Sequence, residues 1–257
     1  MTALRDKIIL ITGASSGIGE ATARKFAEAG ARLILAARRM DRLESLASRL
    51  PTESHLVQLD VRNRATVEKT VAQLPEPWAA IDVLVNNAGL SRDLEKLHEG
   101  NPESWEEMID TNVKGLLYVS RAVIPGMVRR GRGHVINIGS IAGHEVYPGG
   151  NVYCATKYAV TALTKAMMID LVDTPIRVST VDPGMVETEF SLVRFRGDAA
   201  RAGKVYDGLV PLSGDDIVEA VLWVAGRPAH VNIAEVIVLP KAQASCGVVH
   251  RRPDQAS

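Results

Sequence analysis

Short apolar runs alternate with amphipathic stretches along the whole chain. Runs rich in β-branched residues fall near 7–12, 32–37, 55–59, 82–86, 133–138, 176–181 and 234–239. Between them, apolar residues recur at the three-and-four spacing of a helix face near 17–29, 41–49, 63–73, 102–129, 151–172 and 215–226. Strands separated by helices predict right-handed crossovers, hence one parallel sheet with helices on both faces: a doubly wound α/β fold. Leu33-Ile34-Leu35-Ala36, Val83-Leu84-Val85 and Val135-Ile136-Asn137-Ile138 are near-continuous apolar runs, as expected of strands buried on both faces. Two segments lack a period. One, 186–213, carries Gly197, Gly203, Gly208 and Pro211 and is expected to be an irregular lid. The other, the tail 240–257, is expected to pack on a neighbouring subunit. No repeat or linker divides the chain, so 1–257 reads as one domain.

Composition narrows the setting. A chain of 257 residues can bury a sizeable core without disulfides or metal. Basic and acidic side chains balance at 30 each, so no strongly basic field exists to attract nucleic acid or an anionic membrane. Cys154 and Cys246 make neither a disulfide framework nor metal-ligand spacing. Cys154 reads as a small apolar packer. There is no apolar stretch of about 18 residues to cross a membrane. The N-terminus enters the first strand with no export segment, which predicts a cytoplasmic location.

The chemistry begins at Thr12-Gly13-Ala14-Ser15-Ser16-Gly17-Ile18-Gly19, directly after the first apolar run. A glycine-rich turn between strand and helix lets backbone approach a pyrophosphate, and the helix start offers unpaired N–H groups to the anion. Its spacing, T-G-x3-G-x-G, is one residue longer in the first gap than the common dinucleotide turn, and glycine-rich turns also serve only as turns. The second strand ends Ala37-Arg38-Arg39. A carboxylate here would bond a ribose 2′-hydroxyl; an arginine fork instead suits a 2′-phosphate, which points to NADP(H), with Arg38 ahead of Arg39. The other reading of the pair is the start of a solvated helix. Asp60, followed by Val61, closes the third strand and is read as an adenine contact or as the N-cap of the helix near 63–73. Asn86-Asn87-Ala88-Gly89 closes the fourth, either as a ligand shelf or as a simple turn.

Tyr153 and Lys157 stand four apart in a helical pattern and so share a face. A free tyrosine, with a pKa of about 10, is a poor acid or base near neutrality; bringing it to about 7 requires about 4 kcal/mol. A close ammonium favours the phenolate and can contribute that. Ser140 ends the fifth strand at the same sheet edge, where its hydroxyl can bond a carbonyl or alcohol.

Thr12–Gly19, Asn86–Gly89, Ser140, Tyr153-x3-Lys157 and Pro183-Gly184 together resemble the short-chain dehydrogenase/reductase superfamily over nearly the whole chain. The resemblance implies a Rossmann fold and a set of roles. Tyr153 would be the acid/base, Ser140 would hold the substrate oxygen, and Lys157 would bind the nicotinamide ribose and tune Tyr153. Asn112 would hold a water in a proton relay. Ile18, Pro183-Gly184, Val186 and Thr188 would lie at the nicotinamide end. Homotetramers are common in this superfamily, with helices such as 102–129 and 151–172 pairing between subunits.

Further stretches, including Gly149-Gly150-Asn151-Val152-Tyr153 and Val193-Arg194-Phe195-Arg196-Gly197, are similar to bacterial NADP-dependent 3-hydroxy acid dehydrogenases and related sulfoacetaldehyde reductases. Both act on small anionic substrates. Arg194 is the expected anion clamp, with Arg196 turned to water. Tyr147 lines the same pocket or packs under a loop; Met185, Val186 and Phe190 would be apolar walls. Three features depart from that group: Cys154 where glycine or alanine is expected, a Pro183–Thr188 stretch one residue short, and His144-Glu145. All lie around the pocket, so carboxylate and sulfonate both stay open. A broad carbonyl reductase for neutral substrates and a non-catalytic NADP(H)-sensing regulator are the rival functions.

Overall fold

The structure, a computed structural model, describes residues 4–252; residues 1–3 and the end of the predicted tail, 253–257, lie outside the described residues. In chain order the main elements are β1 (Ile8–Thr12), α1 (Gly17–Glu28), β2 (Arg32–Ala37), α2 (Met40–Ala47), β3 (Ser54–Gln58), α3 (Arg64–Ala72), β4 (Val83–Asn86) and α4 (Pro102–Ile109). They continue with α5 (Leu116–Arg130), β5 (Gly133–Ile138), α6 (Asn151–Asp170), β6 (Ile176–Pro183), α7 (Glu189–Arg194), α8 (Ala199–Lys204), α9 (Gly214–Ala225) and β7 (Glu235–Val238). The strands form one sheet in the order β3-β2-β1-β4-β5-β6-β7, with every neighbouring pair parallel. The chain order reverses direction between β1 and β4, and this switch point opens a crevice at the carboxyl ends of the strands.

The two-residue period of a strand divides the apolar runs between two cores. Ile9, Ile11, Leu33, Leu35, Val85 and Ile136 face α1 and α9 on one side. Ile8, Leu10, Ile34, Leu84, Val135 and Val178 face α3 and α5 on the other, against Val67, Val123 and Met127. Each such side chain is worth a few kcal/mol; trimming a fully buried leucine such as Leu35 to alanine costs about 3 kcal/mol.

Two predicted regions differ. The single helix expected over 102–129 is broken: Asp110–Gly115 winds as a π-helix between α4 and α5. A hydrophobic period cannot register one extra residue in a turn. The tertiary reason is Asn112, whose Oδ1 accepts from Leu90 N at 2.8 Å while its Nδ2 donates to Leu90 O at 2.8 Å and Thr156 Oγ1 at 3.0 Å. The segment expected to be irregular, 186–213, contains α7 and α8, capped by the Thr188 and Asp198 side chains. Both helices are too short to show a period. The tail beyond Pro240 folds back on its own chain: Gln243 and Val249 pair as an antiparallel bridge, and Arg252 N donates to Gly208 O at 2.8 Å.

Candidate active site

A cleft of about 590 Å³ runs along the carboxyl edge of the sheet. Every predicted site residue borders it except Gly19 and Asn112, which lie just behind its wall. The cleft floor at one end is the glycine-rich turn. Gly13 has φ +66°, a left-handed conformation that disfavours a side chain, and a Cβ at Gly19 would run into the Gly13 carbonyl. Thr12 Oγ1 accepts from Asn87 N at 3.0 Å and Ala88 N at 3.1 Å, and Asn87 Nδ2 donates to Thr12 O at 2.9 Å. The Asn87–Gly89 shelf and the glycine turn are thus one unit. Asn86 belongs to the core instead, donating to Ser120 and Asn137. Ser16, the N-cap of α1, makes no side-chain cap bond, whereas Asn63, Asn101 and Ser213 cap α3, α4 and α9. The first turn of α1 therefore keeps its N–H groups for the cleft.

The two arginines after β2 part company. Arg39 Nη2 donates to Ser15 Oγ at 3.1 Å and Ser16 Oγ at 2.8 Å, while Nη1 meets Glu189 of α7 at 3.0 Å. Arg42 also pairs with Glu189. The Arg38 side chain borders the cleft and makes no ion pair among the described residues. Asp60 is not a helix cap: Asn63 has that place, and Asp60 takes the Arg62 guanidinium at 2.6 Å, which holds its carboxyl below the usual range.

At the other end stand Ser140, Tyr153 and Lys157. Ser140 Oγ accepts from Ala142 N at 3.1 Å and lies 3.4 Å from Pro183 O. Lys157 Nζ donates to Ile138 O at 3.0 Å and sits 5.9 Å from the Tyr153 ring centre. Burial brings the Lys157 ammonium down to about 8, opposed by the Asp182 carboxylate. Burial pushes the Tyr153 phenol up; Arg194 first, then Ser140, pull it back down. Arg194 is thus a second cation beside the Tyr153 phenol, in addition to Lys157.

Arg194 comes from the end of α7, its guanidinium 5.5 Å from the Tyr153 ring, 5.1 Å from Phe190 and 6.0 Å from Tyr147. Its Nη2 donates to Tyr147 Oη at 3.1 Å, and its Nε is buried without a partner. Arg196 does not simply face water: its Nη2 donates to Ser104 Oγ at 2.8 Å and lies 3.6 Å from Asp93. Thr188, expected beside the cofactor, also caps α7 by accepting from Phe190 N at 3.2 Å. Tyr206, Gln243, Cys246 and Val249 also line the cleft and were not foreseen. The last three sit in the aperiodic tail, whose place only the fold decides; Gln243 Oε1 accepts from Met185 N at 2.8 Å.

A doubly wound parallel sheet, an open helix start at its switch point and a serine–tyrosine–lysine cluster in one cleft are the frame of a nucleotide-dependent oxidoreductase. The family model described as short chain dehydrogenase matches residues 7–197. The chain is 52% identical over 246 residues to the NADP-dependent 3-hydroxy acid dehydrogenase YdfG of Salmonella typhi, covering 95% of this chain and 99% of that one. It is 43% identical over 257 residues to the NADP-dependent 3-hydroxy acid dehydrogenase of Schizosaccharomyces pombe, covering 98% and 99%. Among solved structures, the closed form of a serine dehydrogenase complexed with NADP+ superposes with a TM-score of 0.91 at 49% identity, covering 95% of this chain and 100% of that one. The chain belongs to the short-chain dehydrogenase family. No helix among the described residues is long and apolar enough to cross a membrane.

Proposed function

We propose that this protein is an NADP(H)-dependent oxidoreductase that interconverts a small anionic alcohol and its aldehyde or ketone, of the 3-hydroxy acid/malonic semialdehyde type. The observation that carries the substrate class is Arg194: a guanidinium set among Tyr147, Tyr153 and Phe190, with a buried Nε that has no partner. A buried donor left unbonded costs free energy, and a carboxylate or sulfonate of the substrate would satisfy it. The names of the relatives favour a carboxylate.

The cleft residues fit the cofactor. Gly13, Ser15, Ser16, Gly17, Ile18 and Gly19 form the turn whose open helix start suits a pyrophosphate. Arg38 is the uncommitted cation for a 2′-phosphate, and Arg39 steadies the turn through Ser15 and Ser16. Asp60, Val61, Asn87, Ala88 and Gly89 would hold the nucleoside side; Pro183, Gly184, Val186 and Thr188 the nicotinamide side. Bound there, NADP(H) supplies or accepts the hydride.

The chain's own residues handle orientation and the proton. Ser140 donates to the substrate oxygen, and Arg194, helped by Tyr147, holds the anionic end. Met185 and Phe190 exclude water. In reduction Tyr153 gives its phenolic proton to the developing alkoxide; in oxidation its phenolate takes the alcohol proton. Lys157 stabilises that phenolate, and Asn112 holds the wall at Leu90 beside the relay to Lys157. The segment 186–213 serves as the substrate lid, fastened at Glu189 and Arg196. Exposed apolar side chains on α5 and α6 (Leu117, Val128, Tyr158, Ile169) support a homotetramer built on those helices. Two free thiols suit a cytoplasmic setting.

The test is kcat/KM of NADPH oxidation with malonic semialdehyde, sulfoacetaldehyde and a neutral short aldehyde. A preference of about tenfold or more, 1.4 kcal/mol, for one anion supports the clamp and chooses the acid. Equal rates would make the protein a broad carbonyl reductase, and NADPH binding without turnover a non-catalytic sensor.

A further inference from the structure

Behind Ser140 lies a second cluster that the reaction as described does not use. Asp182, at the end of β6, is fully buried. Its Oδ1 accepts from Thr180 Oγ1 at 2.5 Å, and its Oδ2 lies 2.7 Å from His144 Nε2. The same imidazole nitrogen is 3.1 Å from Glu235 Oε1, on β7. One atom from each of His144, Asp182 and Glu235 therefore converges within 4.8 Å. The cluster adjoins the reaction centre. Asp182 packs over Gly139 so closely that a Cβ there would overlap its Oδ1. The carbonyl of Ile138, one residue before, takes Lys157 Nζ at 3.0 Å, and the next residue after is Ser140.

Lys157 is a buried cation, and buried charge needs a nearby partner. The titratable groups around it are Tyr153 on its own helix and Asp182 on β6; β5 presents a carbonyl and the π-helical segment the neutral amide of Asn112. Asp182 is the anion that opposes the loss of the Lys157 proton. Asp182 itself is faced by Thr180, His144 and Glu235. Burial drives its carboxyl toward the neutral form, Thr180 and His144 hold it ionised, and Glu235 works against them.

We propose that His144 and Glu235 act through Asp182 on the charge of Lys157, as positioning residues outside the substrate cleft. His144 keeps Asp182 anionic and so supports the ammonium; Glu235 has the opposite effect. The link to turnover rests on the reading of Lys157 given under Proposed function.

The experiment uses full-length Asp182→Asn, His144→Gln and Glu235→Gln. The charge of Lys157 is followed directly through the 13C shift of its Cε in lysine-labelled protein, with Lys157→Arg for assignment, and kcat/KM for NADPH-dependent reduction is measured from pH 6 to 10. Asp182→Asn removes the partner, and His144→Gln lets Asp182 take a proton; both should lower the Lys157 midpoint, by about one pH unit. Glu235→Gln should raise it. Opposite responses in His144→Gln and Glu235→Gln support the proposal even if Asp182→Asn fails to fold. A Lys157 midpoint unmoved in the folded variants, with rates reduced evenly at all pH, means packing alone and overturns it. A midpoint that moves while the pH–rate limb stays put leaves the coupling standing and refutes the role given to Lys157 in turnover.

Discussion

Replacing Arg194 by methionine tests the substrate class most directly. Methionine keeps an unbranched apolar stem against Phe190, Tyr147 and Tyr153 and removes the fork of donors. Two terms should be lost. The first is the ion pair with the substrate anion: removing one partner of a desolvated charge pair costs about 2–5 kcal/mol, so a loss of about 3 kcal/mol, or roughly 150-fold in kcat/KM, is expected for the semialdehyde acid. The second is the pull that Arg194 exerts on the Tyr153 phenol, whose burial otherwise pushes it up. That term acts on every substrate and should move the phenolate-dependent limb for alcohol oxidation to higher pH. The ratio of kcat/KM for the acid to that for a neutral aldehyde of equal length separates the two, because the phenol effect cancels. Steady-state NADPH oxidation at several pH values measures it. The ratio should collapse by about two orders of magnitude. Arg194→Lys, a point charge without the fork, should recover part of it. A ratio within about threefold of the parent would refute the clamp, whatever the absolute rates.

Tyr153→Phe should abolish turnover while NADPH still quenches protein fluorescence at near-parental affinity; retained reduction would remove Tyr153 from proton transfer. Arg38→Ala should weaken NADPH binding by roughly tenfold to hundredfold and NADH hardly at all, since only the phosphate contact is lost; equal losses in calorimetry would assign the phosphate elsewhere. His134, buried on β5 with Nε2 2.8 Å from Ser179 Oγ, is held down to about 3 by burial. The unfolded chain takes up its proton first as pH falls, so stability is present above about 6.5 and drains at about 1.4 kcal/mol per pH unit toward pH 3. Urea melts of His134→Gln should show a shallower acid slope by about one proton; an unchanged slope would mean that His134 does not titrate in this way.

Much of this was readable in the chain itself. The strands and most helices follow from periods of two and of three to four residues, because burial on both faces of a parallel sheet leaves apolar runs that nothing else explains. Thr12–Gly19, Ser140, Tyr153 and Lys157 were legible because their chemistry demands fixed residue types at fixed spacing. The choice of Arg38 over Arg39 was open to reasoning only in part: the fold gives Arg39 to Ser15, Ser16 and Glu189 and leaves Arg38 at the cleft. Asp60 shows the limit well: between an adenine contact and a helix cap the sequence left both open, and the fold gives the cap to Asn63 and pairs Asp60 with Arg62.

What the sequence by itself determined is therefore the local grammar: a doubly wound sheet, a glycine-rich turn at its switch point, and a tyrosine and lysine on one helix face. Each depends on neighbours within a few turns of chain. What only the tertiary structure decided is which distant charges meet. Arg194 comes to rest against Tyr153, the aperiodic tail brings Cys246 and Gln243 into the wall, and His144 reaches Asp182 and Glu235 from the turn after β5. Electrostatic contacts of that kind have no period to leave in a sequence. They are fixed by where packing stops each element, and a shift of one residue in α7 or β7 would dissolve them.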